Sequence, residues 1–219
     1  MTQRLFLPLV VAAAVVFAVA PLLIAWAPYE STMGLVQKIF YFHMPSWAAM
    51  FVSALVCGVA SAFFLFKGHA TGDRIAAAAA ELAVVFGLIG LVTGPLWARK
   101  AWGVWWQWDA RLTMALVLWM IFISYLLLRE YGGPGSEKLA AGVALFGMAN
   151  VPFVYWSVNV WRTVHPTTNV VPTLVPGMRI ALWWSLAGFL LLYTRTMMGR
   201  VRLESQRASL DRLYRDLDD

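Results

Sequence analysis

Six runs of this chain are mainly apolar and long enough, or nearly so, to cross a lipid bilayer: roughly residues 5–27, 46–66, 75–97, 113–128, 139–160 and 178–198. A helix that crosses the hydrocarbon core needs about 20 such residues, and it must satisfy its own backbone N–H and C=O groups because no water is there to do so. The composition argues against a soluble alternative, since 61% of the 219 residues are hydrophobic and only 13% are charged. The expected fold is an all-α integral membrane protein, a bundle of six transmembrane helices spanning residues 1–198. Six crossings put both termini on one side. The first run is too long for a signal-peptide core, and Pro21 and Trp26 do not resemble a small-residue cleavage site, so it reads as an uncleaved helix.

Basic residues set the orientation. Arg4, Lys67, Arg74, Arg129, Lys138, Arg195, Arg200, Arg202, Arg207, Arg212 and Arg215 fall on the side of the termini, and Lys38, Arg99, Lys100, Arg111, Arg162 and Arg179 fall on the other. The larger group marks the cytoplasmic side, so both termini are expected there. The net charge of +6 reflects this topology and no nucleic-acid surface, because the bases sit at segment ends and form no single stripe. The one cysteine, Cys57, lies inside an apolar run, which leaves no disulfide framework, no CxxC pair and no CxxCH haem-attachment site. Neither GxxxxGK[ST] nor HExxH occurs, so nucleotide hydrolysis and zinc-protease chemistry lack their usual residues.

The six outer bases run against the usual charge bias and invite a local reason. Tryptophan is lopsided in the same direction. Of twelve, only Trp119 falls well inside a run, while Trp26, Trp47, Trp97, Trp102, Trp105, Trp106, Trp108, Trp156, Trp161, Trp183 and Trp184 gather toward the outer face. An ordinary aromatic belt decorates both interfaces. The densest cluster is 101-AWGVWWQWDARLT-113, flanked by Arg99, Lys100 and Arg111. If residues 102–109 are helical, Trp102, Trp105, Trp106 and Asp109 share one arc and Trp108 stands off it. Asp109 also suits the N-cap of a helix beginning near Arg111.

Two further outer loops carry histidine. In 39-IFYFHMPSWAAM-50, Pro45 suits a first helical turn and places His43 just before the helix. In 155-YWSVNVWRTVHPTTNVVPTL-174, Trp161 and His165 have i,i+4 spacing and Pro166 is expected to stop the helix. His69, in the inner loop KGHATGDR, reads as solvated. Two histidines on one face, with a tryptophan-rich loop between them in sequence and cations around it, meet the needs of one ligand class. It is flat and apolar, its metal takes nitrogen above and below, and its tails are anionic. Haem fits that description: histidine is a common axial ligand, tryptophan offers stacking area, and Arg99, Lys100, Arg111, Arg162 or Arg179 could pair with the propionates.

The string WGVWWQWDARLT closely resembles the tryptophan-rich WWD signature of the haem-handling proteins of cytochrome c maturation. Six spans, a WWD loop between the third and fourth, and a histidine loop on either side resemble the CcmC family in particular, over nearly the whole chain. The resemblance implies that His43 and His165 are axial ligands of haem iron, and that Trp102, Trp105, Trp106, Trp108, Asp109 and Arg111 form the haem-presenting loop, with Arg162 a further candidate for the propionates. It implies haem b as transient cargo, displayed on the periplasmic face of the bacterial inner membrane and passed to a membrane-anchored, CcmE-type haem chaperone. The implied partners are the small CcmD subunit and the CcmA/CcmB ABC transporter. The larger relatives with WWD loops, CcmF and the CcsA-type synthases, have more spans and typically further histidines within the membrane. No histidine is expected within a span here, which argues against a second haem.

Residues 199–219 place Leu203, Leu210, Leu213, Tyr214 and Leu217 at helical spacing among charges of both signs, an amphipathic cytoplasmic tail that is solvated or docks on a partner. Glu81, inside the third run, is costly in lipid and reads as one end of an interhelical bond. The favoured function is a haem-binding and transfer protein that is not an enzyme. A membrane b-type electron-transfer cytochrome usually needs histidines within the spans, and a haem permease would need a polar path that Glu81 alone does not make.

Overall fold

The computed structural model describes residues 2–167 and 170–218. Met1, Thr168, Asn169 and Asp219 lie outside the described residues, so part of the second histidine loop and the ends of the expected 1–198 and 199–219 segments do too. Seven α-helices occur among the described residues: α1 (Thr2–Trp26), α2 (Phe40–Lys67), α3 (Ala70–Trp102), α4 (Ala110–Tyr131), α5 (Ser136–Val160), the short α6 (Val170–Thr173) and α7 (Pro176–Asp218). Six of them are long and apolar enough to cross a membrane. Each expected span lies within one of these helices, apart from the last residue of the first. Each of the six overruns its expected span by three residues or more at one end or both.

α2 and α3 pack on each other at the centre, α4 and α5 flank them on one side, and α1 and α7 pair on the other. Apolar side chains gain nothing by leaving lipid for one another, so close packing depends on small residues that let backbones approach. α3 supplies a run of them, with Ala76, Ala77, Ala78, Ala79, Ala80 and Ala83 all buried. Farther along the same helix, Gly87 and Gly90 leave room for indoles. A Cβ at Gly87 would come within 2.6 Å of Trp119, and one at Gly90 within 2.6 Å of Trp47. The Trp119 indole also donates to the Val84 carbonyl at 2.9 Å, tying α4 to α3. Trp184, assigned to the outer belt by sequence, instead donates to the Val16 carbonyl of α1 at 2.8 Å.

Two ion pairs join the helices of the bundle. Arg129 grips Asp73 with both terminal nitrogens, and Arg200 of α7 bonds Glu81 of α3. The interhelical role expected for Glu81 is what the structure shows. α7 runs through residue 198 without a break and carries the tail as the same helix, leaving Leu203, Leu210, Leu213, Tyr214 and Leu217 exposed. Cys57 is a buried, unpaired core residue.

Candidate functional site

One end of the bundle carries the loops 27–39, 103–109 and 161–167; the other carries the tight turns around Gly68 and Gly133. His43, Trp102, Trp105, Trp106, Arg111 and His165 converge at the first end, lining one small cavity of about 40 Å³. A neighbouring cavity of about 160 Å³ is walled by His43, Arg111 and His165 again, with Tyr155 and Val158 from α5. His69 lies at the opposite end, in the turn between α2 and α3.

His43 is not ahead of its helix. A 3-10 turn at Leu35–Ile39 runs straight into α2, so His43, 8% exposed, occupies the opening turn of that helix, within a stretch long and apolar enough to cross a membrane. The expectation that no histidine enters a span is corrected accordingly. The outer turn of α2 continues because Pro45 removes only one backbone donor and the preceding helical turn is already formed. Nδ1 of His43 lies 3.0 Å from Thr93 Oγ1 of α3. Trp47 and Trp97 meet the ring edge-on, at centroid distances of 6.4 and 6.0 Å. Trp97 is itself buried, and its indole N–H donates to Met33 Sδ at 3.2 Å.

The tryptophan-rich loop is not helical. α3 stops at Trp102 because Gly103 turns into the left-handed region, φ 78°, and α4 restarts at Ala110 under Asp109. Between a glycine stop and an aspartate cap the interval is too short to repay helix nucleation. The helical arc is therefore wrong as a mechanism, and Asp109, the fourth member it grouped, lines neither cavity, although the three tryptophans stay together. Trp102, Trp105 and Trp106 line the cavity. Trp108 is 76% exposed, lines neither cavity, and meets Trp106 edge-on, 5.7 Å between centroids.

Asp109 does two jobs with two oxygens. Oδ1 accepts from the Leu112 N–H at 2.8 Å, the expected N-cap of α4. Oδ2 accepts from the Thr163 hydroxyl and from the Val164 N–H, the latter at 3.1 Å. The carboxylate thereby ties the tryptophan loop to the histidine loop. It also explains why the second histidine loop departs from the sequence reading. α5 ends at Val160, Trp161 is extended, and His165 is not on a helix with it. The Val164 N–H that could have continued the helix is given to Asp109 instead. His165 N–H then bonds Thr163 Oγ1 at 3.0 Å, and its Nδ1 donates to the Pro166 carbonyl at 2.8 Å, since a carbonyl can only accept. Burial, with the Arg111 cation adding to it, pushes His165 down to about 4, against the pull of the Pro166 carbonyl and the Asp109 carboxylate. It is neutral at physiological pH.

The outer bases separate into different jobs. Lys38 donates to the Ile24 and Ala25 carbonyls at 2.7 and 2.9 Å, closing the C-terminus of α1. Arg99 bonds the Gly103 carbonyl beyond α3. Arg111 stands in the first turn of α4, where the helix dipole disfavours a cation. It nevertheless faces both cavities and donates to the Val154 carbonyl. Arg162 is exposed and lines neither cavity.

Trp47, Trp97 and Thr93 were not singled out as site residues by sequence. Trp47 and His43 are i,i+4 on α2, and Thr93 and Trp97 are i,i+4 on α3, so a search for partners of His43 along helix faces had a signal to find.

The sequence is similar to those of known proteins. The chain is 35% identical over 182 residues to heme exporter protein C of Escherichia coli (strain K12), covering 81% of this chain and 74% of that one. It is 33% identical to heme exporter protein C of Bradyrhizobium diazoefficiens, over 93% of this chain and 80% of the relative. It is 32% identical to that of Paracoccus denitrificans, over 95% and 90%. With the model of heme exporter protein C matched over residues 1–215, six apolar helices and the WWD loop set between two histidines, the chain belongs to the CcmC family.

Proposed function

We propose that this protein binds haem at the loop end of the bundle, between Nε2 of His43 and Nε2 of His165, and hands it to a membrane-anchored haem chaperone during cytochrome c maturation. One observation carries this reading. Two histidines from distant parts of the chain line the same cavities, and each has its Nδ1 engaged by a protein oxygen, so each offers only Nε2. An axial histidine typically donates its second nitrogen's proton in this way, which fixes the ring and raises its basicity.

In this reading haem, of the b type, is cargo. Trp102, Trp105 and Trp106 cover its face, Arg111 meets a propionate, and the chain makes no covalent bond of its own. The loop end faces the periplasm, the termini face the cytoplasm, and the CcmA/CcmB transporter and CcmD complete the complex in the bacterial inner membrane. Neither cavity reaches the ~300 Å³ typical of small-molecule pockets, so the ring enters as the loops 103–109 and 161–167 part.

The test is an absorption spectrum of the purified protein. Wild type is expected to give a six-coordinate low-spin spectrum. His43→Ala and His165→Ala are expected to lose it, with partial recovery on added imidazole, while His69→Ala leaves it unchanged. Wild-type spectra from both single variants refute the ligand assignment.

A further inference from the structure

The His43 side of the site holds a residue that no motif marks. Thr93 sits on α3 with its Oγ1 3.0 Å from His43 Nδ1. The same oxygen lies 2.7 Å from the Ile89 carbonyl and 3.3 Å from the Gly90 carbonyl. A hydroxyl has one proton to give. Those two carbonyls can only accept, so the proton is committed to the α3 backbone, and Oγ1 presents a lone pair to the imidazole. Nδ1 is then the protonated nitrogen and Nε2 the bare one.

The space around the ring leaves few alternatives. A Cβ placed on Gly94 would come 3.3 Å from Cε1, so the imidazole lies against the α3 backbone one residue beyond Thr93. Trp47 and Trp97 hold it edge-on from two sides. The ring could still adopt the other tautomer or turn over, and the threonine hydroxyl, beside the Gly90 carbonyl that also bonds the imidazole, is the side chain that separates those states.

We propose that Thr93 is a positioning residue for haem ligation, fixing the tautomer and plane of His43 through an Nδ1–H···Oγ1 bond that directs Nε2 at the iron and strengthens it as a ligand. This rests on His43 being an axial ligand. The two ligands are thus supported differently, since His165 takes its Nδ1 acceptor from the Pro166 backbone, which no side-chain substitution removes.

The experiment compares Thr93→Val, which keeps the shape and loses the hydroxyl, with Thr93→Ser, which restores it, and with His43→Ala. Haem affinity, the spin state from the absorption spectrum, and the midpoint potential of the bound haem are measured on each full-length protein. Loss of an outer partner of this kind typically weakens metal binding about 10–100-fold. Thr93→Val is therefore expected to bind haem at least about tenfold more weakly, to shift part of the population away from low spin, and to raise the potential, because a less basic imidazole stabilises ferric iron less. Thr93→Ser is expected to restore all three. Thr93→Ala serves if the valine variant does not accumulate. A purely structural threonine would lower yield without moving the potential or spin state of the haem that remains. If His43→Ala loses the low-spin spectrum while Thr93→Val and Thr93→Ala keep wild-type affinity, spectrum and potential, the positioning role is overturned and the ligand assignment stands. If His43→Ala keeps the wild-type spectrum, the ligand assignment falls and this inference falls with it.

Discussion

Asp109 is the residue whose replacement should show most directly how the two loops are held together. Its carboxylate caps α4 through Oδ1 and clasps the histidine loop through Oδ2. Asparagine is nearly isosteric but offers one acceptor oxygen and one NH2. Whichever way it turns, an amide donor faces a backbone N–H. If the oxygen keeps the cap, the Val164 N–H loses its partner and the Thr163 hydroxyl, which also accepts from His165 N–H, loses its anchor. Hydrogen bonds to a charged group contribute about 1.5–3 kcal/mol each, and an N-cap about 0.5–2 kcal/mol. The overall fold, with its six long helices untouched, should survive. The docked position of His165 should not. The amide NH2 can still donate to the Thr163 oxygen, so the net loss is about one such bond, about 1.5–3 kcal/mol, which corresponds to roughly a 10–100-fold faster escape of haem at about 1.4 kcal/mol per decade.

The assay is the rate at which haem passes from the purified protein to excess apomyoglobin. Asp109→Asn should accelerate it within that range. Thr163→Val, which removes both the bond to Asp109 and the one accepted from the His165 N–H but leaves the cap and the Val164 bond, should accelerate it over a similar range. Combining the two changes should add little to Asp109→Asn alone, because both act on one clasp. A wild-type release rate in Asp109→Asn, or a double variant whose effects simply multiply, would refute the clasp.

The remaining expectations concern the aromatic loop and pH. Trp106→Ala should weaken haem retention by tenfold or more, since it is half-buried and lines the cavity, and truncating even part of a large aromatic contact takes a share of the about 3–5 kcal/mol that a fully buried one costs. Trp108→Ala should cost far less, no more than the ~0.5–1.5 kcal/mol of its edge contact with Trp106. Equal losses at both positions, read by haem titration, would break this ranking. For the ligand-free protein, His165 is depressed to about 4 when docked and returns toward the ordinary ~6.5 when the loop opens. The open state therefore binds the extra proton in that interval. The docked loop should lose stability as pH falls from about 6.5 to about 4, with no further loss from this group below that. Tryptophan fluorescence should report an acid transition that His165→Gln removes, and an unchanged transition in that variant would assign it to another group.

The membrane spans were legible because lipid imposes a crude rule: length and apolarity suffice, and the helices obey it. The caps at Gly103 and Asp109 are equally local and exclude the conditional helix over 102–109, even though the spacing of its rings suits one. What sequence could not supply were bonds between distant positions. Asp109 could be recognised as a cap from its neighbours, but its second oxygen finds Thr163 and Val164 across the fold, and that pairing ends α5 early and sets His165 on a loop. Likewise Thr93 is an unremarkable residue in an apolar helix until α2 brings His43 beside it. The two histidines, alike in the sequence reading, thus come to rest on unlike supports. His43 is held by packed helices, with the ring wedged against Gly94 and between two indoles. His165 is held by backbone bonds within its own loop and by one carboxylate from another. Local unfolding draws first on segments with few packed contacts, so the His165 side is where the site gives way when the loops part.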